Sequence, residues 1–158
     1  MQVKKVLSRD EKKKLEKIIK EKYGCDIDIK NFIVFLTGED KIWIANGDFD
    51  TSLLKDIKRI YSMGLYFGRL KRNDKIKLSI EGSNLIGKKA RKNLVELDKK
   101  EAEKFMLGMD VKPQRIINSN LNEFVIVRHG DYTLGSGLLR DGFVENLTPK
   151  ARRISLNI

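Results

Sequence analysis

The side chains that most often carry enzymatic chemistry are scarce in this sequence of 158 residues. It contains one histidine, His129, and one cysteine, Cys25, so an internal disulfide and a cysteine-based metal site are both excluded. Nucleophilic catalysis needs a base beside a serine or cysteine, and only His129 or a lysine with a shifted pKa is present for that role. His129 lies in a predicted hairpin turn, where a histidine is usually solvated. The sequence therefore predicts a protein that is not an enzyme.

Two other patterns favour ligand binding but lack the context that it requires. Four aspartates lie near predicted turns: Asp26, Asp28, Asp48 and Asp50. They lack the spacing and the closing glutamate of a calcium loop. Gly135-Ser136-Gly137 is similar to a phosphate loop, but no strand–loop–helix frame and no following Lys-Ser/Thr accompany it. In a strand, such glycines more often mark a bend or a close backbone approach. We therefore expect no metal and no cofactor.

The charge points to a polyanionic partner. Thirty-three basic residues against twenty-two acidic ones give a net charge of +11 and an isoelectric point of about 9.7. The excess is concentrated in Lys55–Lys92, which holds twelve basic and three acidic residues. A basic segment of this kind favours a nucleic acid partner. The alternative is a solvated, lysine-rich surface of the kind found where growth temperature is high.

The first half of the chain predicts a mixed helix and antiparallel-sheet region. Ser8 and Glu11 have the spacing of a capping box, and Gly24 is expected to end the helix that follows. Phe32–Leu36 and Lys41–Ala45 predict a hairpin. Its Trp43 is interpreted as a sheet-packing residue, and a stacking platform for a base is the alternative.

The rest of this half continues the same pattern. A helix is predicted from Asp50 or Thr51 to Lys58, followed by an extended stretch, Ile60–Leu70. The apolar residues of the next strand, Ile76, Leu78 and Ile80, alternate with lysines that are expected to face water. A short helix or turn at 81–86 and a basic link at 87–92 follow.

The second half predicts a small closed β-barrel with one helix. Strand Leu94–Leu97 leads to a helix with Asp98 as N-cap and Glu101 in the capping-box position. Further strands are predicted at Phe124–Val127, Tyr132–Leu139, Phe143–Leu147 and Ile154–Ile158.

The residues of this half resemble a known domain. Asp98–Met109 followed by Phe124–Leu139 resembles a PUA-type domain, the pseudo-barrel of RNA-modifying enzymes and ribosome-assembly factors. Two families are similar: the Nip-seven ribosome-biogenesis family, which has a pre-PUA domain before PUA, and the C-terminal module of ribosome-biogenesis RNA cytosine-5 methyltransferases. The tail Asn146–Arg153 looks more like the methyltransferases. An upstream domain without a methyltransferase looks more like Nip-seven.

The resemblance implies an α+β protein with two domains. Residues 1–88 would form a pre-PUA-like mixed helix and antiparallel-sheet domain, and residues 91–158 a PUA-like β pseudo-barrel that binds RNA. The expected function is non-catalytic binding of structured ribosomal RNA in pre-ribosomal particles. The alternative is an RNA-targeting subunit of a separate tRNA- or rRNA-modifying enzyme, such as a cytosine-5 methyltransferase. Neither reading includes a domain that binds S-adenosylmethionine.

The expected RNA-binding residues are basic side chains of the link, of the PUA-like surface and of the tail. They are Arg69, Lys71, Arg72, Lys88, Lys89, Arg91, Lys112, Arg115, Arg128, Arg140, Lys150, Arg152 and Arg153. Lys99 and Lys104 also map onto the PUA surface, where solvation is the favoured interpretation. Besides RNA, a protein partner from ribosome assembly or RNA modification is expected. No apolar run reaches the length of a membrane helix and no signal peptide is recognised, so a cytoplasmic location is expected.

Overall fold

The computed structural model describes residues 3–46 and 64–154. Helix α1, Arg9–Tyr23, begins at the expected capping box: Ser8 Oγ accepts from the Glu11 amide at 3.2 Å, and Glu11 Oε1 accepts from the Ser8 amide at 3.1 Å. It ends at Gly24, whose φ of +63° is in the left-handed region that favours glycine. No helix within the described ranges has the length and apolar character needed to cross a membrane.

The first sheet is an antiparallel meander in chain order. Its strands are β1 (Lys5–Val6), β2 (Phe32–Thr37), β3 (Lys41–Asn46), β4 (Gly64–Lys71) and β5 (Lys75–Leu78). The predicted hairpin is confirmed as β2 and β3, joined by a short 3₁₀ turn at Gly38–Asp40. One face of this sheet packs on α1.

Trp43 packs against the sheet, as predicted. Its ring stacks on Phe35 with centroids 6.2 Å apart, lies 5.2 Å from the Tyr66 ring, and donates from Nε1 to Thr37 Oγ1 at 3.0 Å. With three such contacts the indole is fixed by its own sheet.

Two expectations about β5 were wrong. Ile80 does not continue the strand but begins helix α2, Ile80–Ile86, because the Ser79 hydroxyl caps it by accepting from the Gly82 amide at 2.8 Å. Lys77 does not face open water: it is half-buried, since α2 and the second sheet pack beside β5.

The second sheet has the order β10-β9-β8-β6-β7 and is curled. Its strands are β6 (Leu94–Glu96), β7 (Arg115–Ile117), β8 (Phe124–His129), β9 (Tyr132–Arg140) and β10 (Phe143–Asn146). β6 pairs with β8 in parallel and with β7 in antiparallel orientation. Val111, just before β7, pairs with Val144 of β10 at the opposite edge, so one segment reaches both edges and gives a half-barrel.

Glycines shape β9 where a bend was expected. Val127 pairs with Gly135 and Arg128 with Thr133, which leaves Leu134 as the extra residue of a bulge. Gly135 has a φ of +149°, and a Cβ at Gly137 would collide with Val144. A closely packed glycine therefore lies on each side of Ser136.

Helix α3, Lys99–Met106, confirms Asp98 as N-cap, with Asp98 Oδ1 accepting from the Glu101 amide at 2.8 Å. The reciprocal half of the capping box was wrong. Glu101 Oε2 instead accepts from the Lys112 amide at 2.9 Å, because the strand-like segment at 111–112 lies within its reach. The predicted helix at 50–58, the beginning of the stretch at 60–63 and the end of the strand at 154–158 lie outside the described residues.

The two sheets share one core. Leu94 and Ile126 of the second sheet belong to the same buried cluster as Leu15 and Ile19 of α1. The fold is thus the expected α+β combination of a mixed helix and antiparallel sheet with a PUA-like half-barrel. The boundary between domains at 88–91 stays a prediction.

Candidate nucleic-acid interface

A groove runs along the junction of the two sheets. We call it the seam groove; its volume is about 270 Å³, and β3, β4, β5, α2, β9 and the segment 147–152 form its walls. Four cationic side chains line it, Lys41, Arg69, Lys77 and Arg152, together with one carboxylate, Glu81. A cavity with this excess of cations favours an anionic ligand.

Only two of the four cations are neutralised by carboxylates. Arg152 Nη1 lies 2.6 Å from Glu81 Oε1, and Arg69 Nη2 lies 2.7 Å from Glu39 Oε2. In residues 3–46 and 64–154, Lys41 and Lys77 have no ion pair. The seam groove therefore holds about two uncompensated positive charges.

The pKa values reflect this crowding. Burial lowers the pKa of Lys77, and the neighbouring cations Lys71 and Arg69 lower it further. Burial also raises the pKa of the Tyr66 phenol. For Glu81, burial acts to raise the pKa, but the hydrogen bond from Arg152 outweighs it, so the pKa is lowered and the carboxylate stays charged at neutral pH.

Two buried hydroxyls line the seam groove without partners. Ser136 is 4% exposed and Thr148 is 7% exposed, and neither Ser136 Oγ nor Thr148 Oγ1 has a hydrogen-bond partner in the described part of the chain. Arg69 Nε is likewise unpartnered there. Leaving a buried polar group unsatisfied costs about 1–3 kcal/mol. Unsatisfied donors beside uncompensated cations are what an oxyanion would satisfy.

A hydrogen-bond network fixes the position of Thr148. The Asn146 side chain donates from Nδ2 to the carbonyl oxygens of Phe105 at 2.8 Å and Met109 at 2.9 Å. Its Oδ1 accepts from the Thr148 amide at 2.8 Å. Asn146 thereby ties the end of α3 to the chain that leaves β10.

A second, shallower depression lies at the other side of the sheet junction. We call it the open groove; its volume is about 440 Å³, and its cations are Lys71, Arg72, Lys75 and Arg140. Lys75 pairs with Glu123 and Arg140 with Glu145, whereas Lys71 and Arg72 are exposed and have no ion pair within the described ranges. Three of the sequence-predicted RNA-binding residues, Lys71, Arg72 and Arg140, therefore meet here.

Arg128, another predicted RNA-binding residue, is engaged inside the fold. Its Nη1 donates to the Gly87 carbonyl at 3.1 Å and its Nη2 pairs with Glu96 Oε1 at 3.1 Å, with 18% of the side chain exposed. The guanidinium thus connects the link to β6 and β8, and little of it is left for RNA.

The remaining candidates are scattered over the surface. Lys88, Arg91, Lys112, Arg115 and Lys150 are exposed, and no ion pair holds them in the described chain. Lys89 lies at a different, mainly apolar cavity that Cys25 also lines. Of the two helix lysines, Lys99 is exposed and Lys104 pairs with Glu101 at 3.2 Å.

The tail does not begin a strand at its arginines. Lys150–Arg152 form a 3₁₀ turn, so strand alternation does not orient Arg152 and Arg153. Arg152 pairs with Glu81 rather than with Glu145 or Asp141. Arg153 packs over Gly108 and donates from Nε to the Thr148 carbonyl at 3.2 Å. The RNA-binding role of all these side chains stays a prediction.

Sequence reasoning missed the seam groove. Lys41, Lys77 and Thr148 were not among the predicted site residues, and the sequence around them carries no motif. Ser136 did lie in a noticed pattern, Gly135-Ser136-Gly137, which had been explained by bending alone. No group of three or more His, Cys, Asp or Glu side chains within residues 3–46 and 64–154 is arranged to hold a metal ion.

A curled five-stranded sheet with a capped helix, beside a smaller α/β sheet, defines a PUA-type fold. Consistent with this, residues 92–154 match a family model described as the PUA domain of the methyltransferase RsmF. That match covers less than half of the chain. PUA domains generally bind RNA. The more specific resemblance to the Nip-seven family is not confirmed.

The fold as a whole is similar to a solved structure. A crystal structure of a PUA domain from Aeropyrum pernix K1, in a tartrate complex, aligns with a TM-score of 0.54 and 12% sequence identity, covering 91% of this chain and 84% of that chain. At this identity the likeness shows the fold alone. A comparison with curated proteins gives no significant match.

Proposed function

We propose that this chain is a non-catalytic RNA-binding protein. The observation that carries the proposal is the open groove, where Lys71 and Arg72 of the first sheet approach Arg140 of the segment that matches a PUA domain. Guanidinium and ammonium groups on one face bind phosphates, and arginine also stacks on exposed bases. Phe124 and Leu138 add apolar surface between these cations.

The proposed RNA is structured ribosomal RNA within a pre-ribosomal particle, in the cytoplasm, with an assembly factor as protein partner. A second candidate is an RNA-targeting subunit of a separate tRNA- or rRNA-modifying enzyme. The match of residues 92–154 to a methyltransferase PUA domain favours this second candidate. Purification from native cells distinguishes the two: a ribosomal subunit is retained in the first case, and an RNA methyltransferase in the second.

The RNA-binding proposal is tested by titrating structured ribosomal RNA fragments at increasing salt. The logarithm of affinity is expected to fall against the logarithm of salt concentration by roughly 0.7–0.9 per neutralised phosphate. The variant Lys71→Met with Arg72→Met should flatten that slope by between about one and two phosphate contacts. Lys13→Met, on the exposed face of α1, is the matched control and should leave the slope unchanged. No binding at low salt, or an equal slope in all variants, would remove the proposal.

The non-catalytic part is tested separately. Calorimetry with S-adenosylmethionine is expected to give no isotherm, because the chain has no doubly wound cofactor domain in its sequence pattern. Methyl transfer to RNA by the purified chain would contradict it.

A further inference from the structure

We propose that the seam groove binds the phosphomonoester at an end of an RNA strand. This rests on the proposed function and deepens it, since it assigns a specific chemical group to a site separate from the open groove. The open groove provides general affinity for the backbone, whereas the seam groove reads one terminal group.

The first argument is charge. After the pairs Arg152–Glu81 and Arg69–Glu39 are counted, Lys41 and Lys77 remain uncompensated within the described chain. A phosphomonoester carries about −1.5 to −2 charges at neutral pH. A phosphodiester of the RNA backbone carries a single negative charge, so it would leave about one lysine uncompensated.

The second argument is hydrogen bonding. The hydroxyls of Ser136 and Thr148 are more than nine-tenths buried and have no partner among the described residues, and both line the cavity. A terminal phosphate has three strong acceptor oxygens. Two hydroxyl donors and two ammonium groups can satisfy those oxygens together, and charge-assisted hydrogen bonds of this kind are about twice as strong as neutral ones.

The third argument is shape. A volume of about 270 Å³ lies just below the roughly 300–1,000 Å³ range of ordinary ligand pockets, so it suits one compact group. Walls come from both sheets, from α2 and from the segment 147–152. A phosphate inside an intact strand continues in two directions, whereas a terminal phosphate needs a single exit.

Ser136 separates binding from folding. Because its buried hydroxyl is unsatisfied, Ser136→Ala removes a desolvated polar group and should leave the melting temperature equal or higher. The same substitution removes a donor to the phosphate and should weaken binding of phosphorylated ends. A residue with only a structural role would not change the two measurements in opposite directions.

The experiment compares one single-stranded RNA oligonucleotide with a 5′-phosphate, with a 3′-phosphate and with hydroxyls at both ends. At least one phosphorylated form is expected to bind about tenfold more tightly than the hydroxyl form, the effect of one or two charge-assisted hydrogen bonds. Lys41→Met with Lys77→Met, and separately Ser136→Ala, should reduce that preference and leave affinity for the hydroxyl form unchanged. Lys13→Met is the control and should keep the preference.

The outcomes separate this inference from the proposed function. If the hydroxyl form binds and neither phosphate adds affinity, the inference is wrong and RNA binding stands. If no RNA form binds, the proposed function is wrong as well. Adenosine 5′-monophosphate and inorganic phosphate are titrated alone, and binding of either as tight as that of the phosphorylated oligonucleotide would overturn an RNA end as the source of the group.

Discussion

Replacing Arg128 by methionine should destabilise the fold rather than weaken RNA binding. The substitution keeps much of the aliphatic volume but removes the hydrogen bond to the Gly87 carbonyl and the ion pair to Glu96. Hydrogen bonds from charged donors contribute about 1.5–3 kcal/mol, and a partly exposed ion pair adds at most about 1 kcal/mol. A loss of about 2 kcal/mol shifts the melting temperature of a chain of this size by about 4–8 °C.

The assay combines thermal unfolding, followed by circular dichroism, with an RNA salt titration at a temperature where both proteins are folded. The matched control is Arg115→Met, an exposed arginine of the same sheet, which should change stability by no more than about 0.5 kcal/mol. Adding Glu96→Gln to Arg128→Met should recover part of the stability, because the carboxylate is then no longer left unpaired. An unchanged melting temperature with a salt slope flattened by roughly 0.7–0.9 would refute this reasoning and restore Arg128 as a phosphate contact.

Three further predictions concern the tail, the first helix and the buried amide. Arg152→Ala should affect stability little, since its pair with Glu81 is half-exposed, whereas Arg153→Ala should lower the melting temperature through lost packing over Gly108; separate thermal melts decide this, and equal shifts would contradict it. Hydrogen bonds from Lys5 and then from the Ser8 amide lower the pKa of Glu11 from 4.5 to about 2, so its stabilisation is present above about pH 4.5 and is lost as pH falls towards 2; Glu11→Gln should flatten that dependence in acid unfolding curves. Asn146→Ala should cost about 2–4 kcal/mol in urea unfolding, because it leaves two carbonyls and one amide without partners, and a loss below 1 kcal/mol would show that water replaces the side chain.

Features with a local cause were predictable from the sequence. The capping box of Ser8 and Glu11 depends on four consecutive residues, and the hairpin around Gly38–Asp40 depends on turn residues between two apolar runs. The bulge near Gly135 follows from glycines inside a strand. In each case the decisive interaction lies within a few residues of the signal.

Features made by tertiary packing were not predictable. Strand alternation placed Lys77 on a wet face, but the second sheet covers that face, and no local pattern reports it. The spacing of Asp98 and Glu101 fits a capping box, yet the Lys112 amide competes for the carboxylate from eleven residues away. The seam groove combines side chains from residues 41 to 152, so basic residues could be recognised but not the two that remain uncompensated.

The last turn of α1 also determines how this protein unfolds. The Tyr23 carbonyl accepts from the amides of both Arg91 and Lys92, and Asn93 donates from Nδ2 to the Lys22 carbonyl at 2.6 Å. Local opening of the chain between the sheets therefore breaks helix-end hydrogen bonds at the same time, and loss of α1 exposes the core that both sheets share. The two halves should consequently unfold in one cooperative transition, with amides on both sides of this junction exchanging their hydrogens at similar rates.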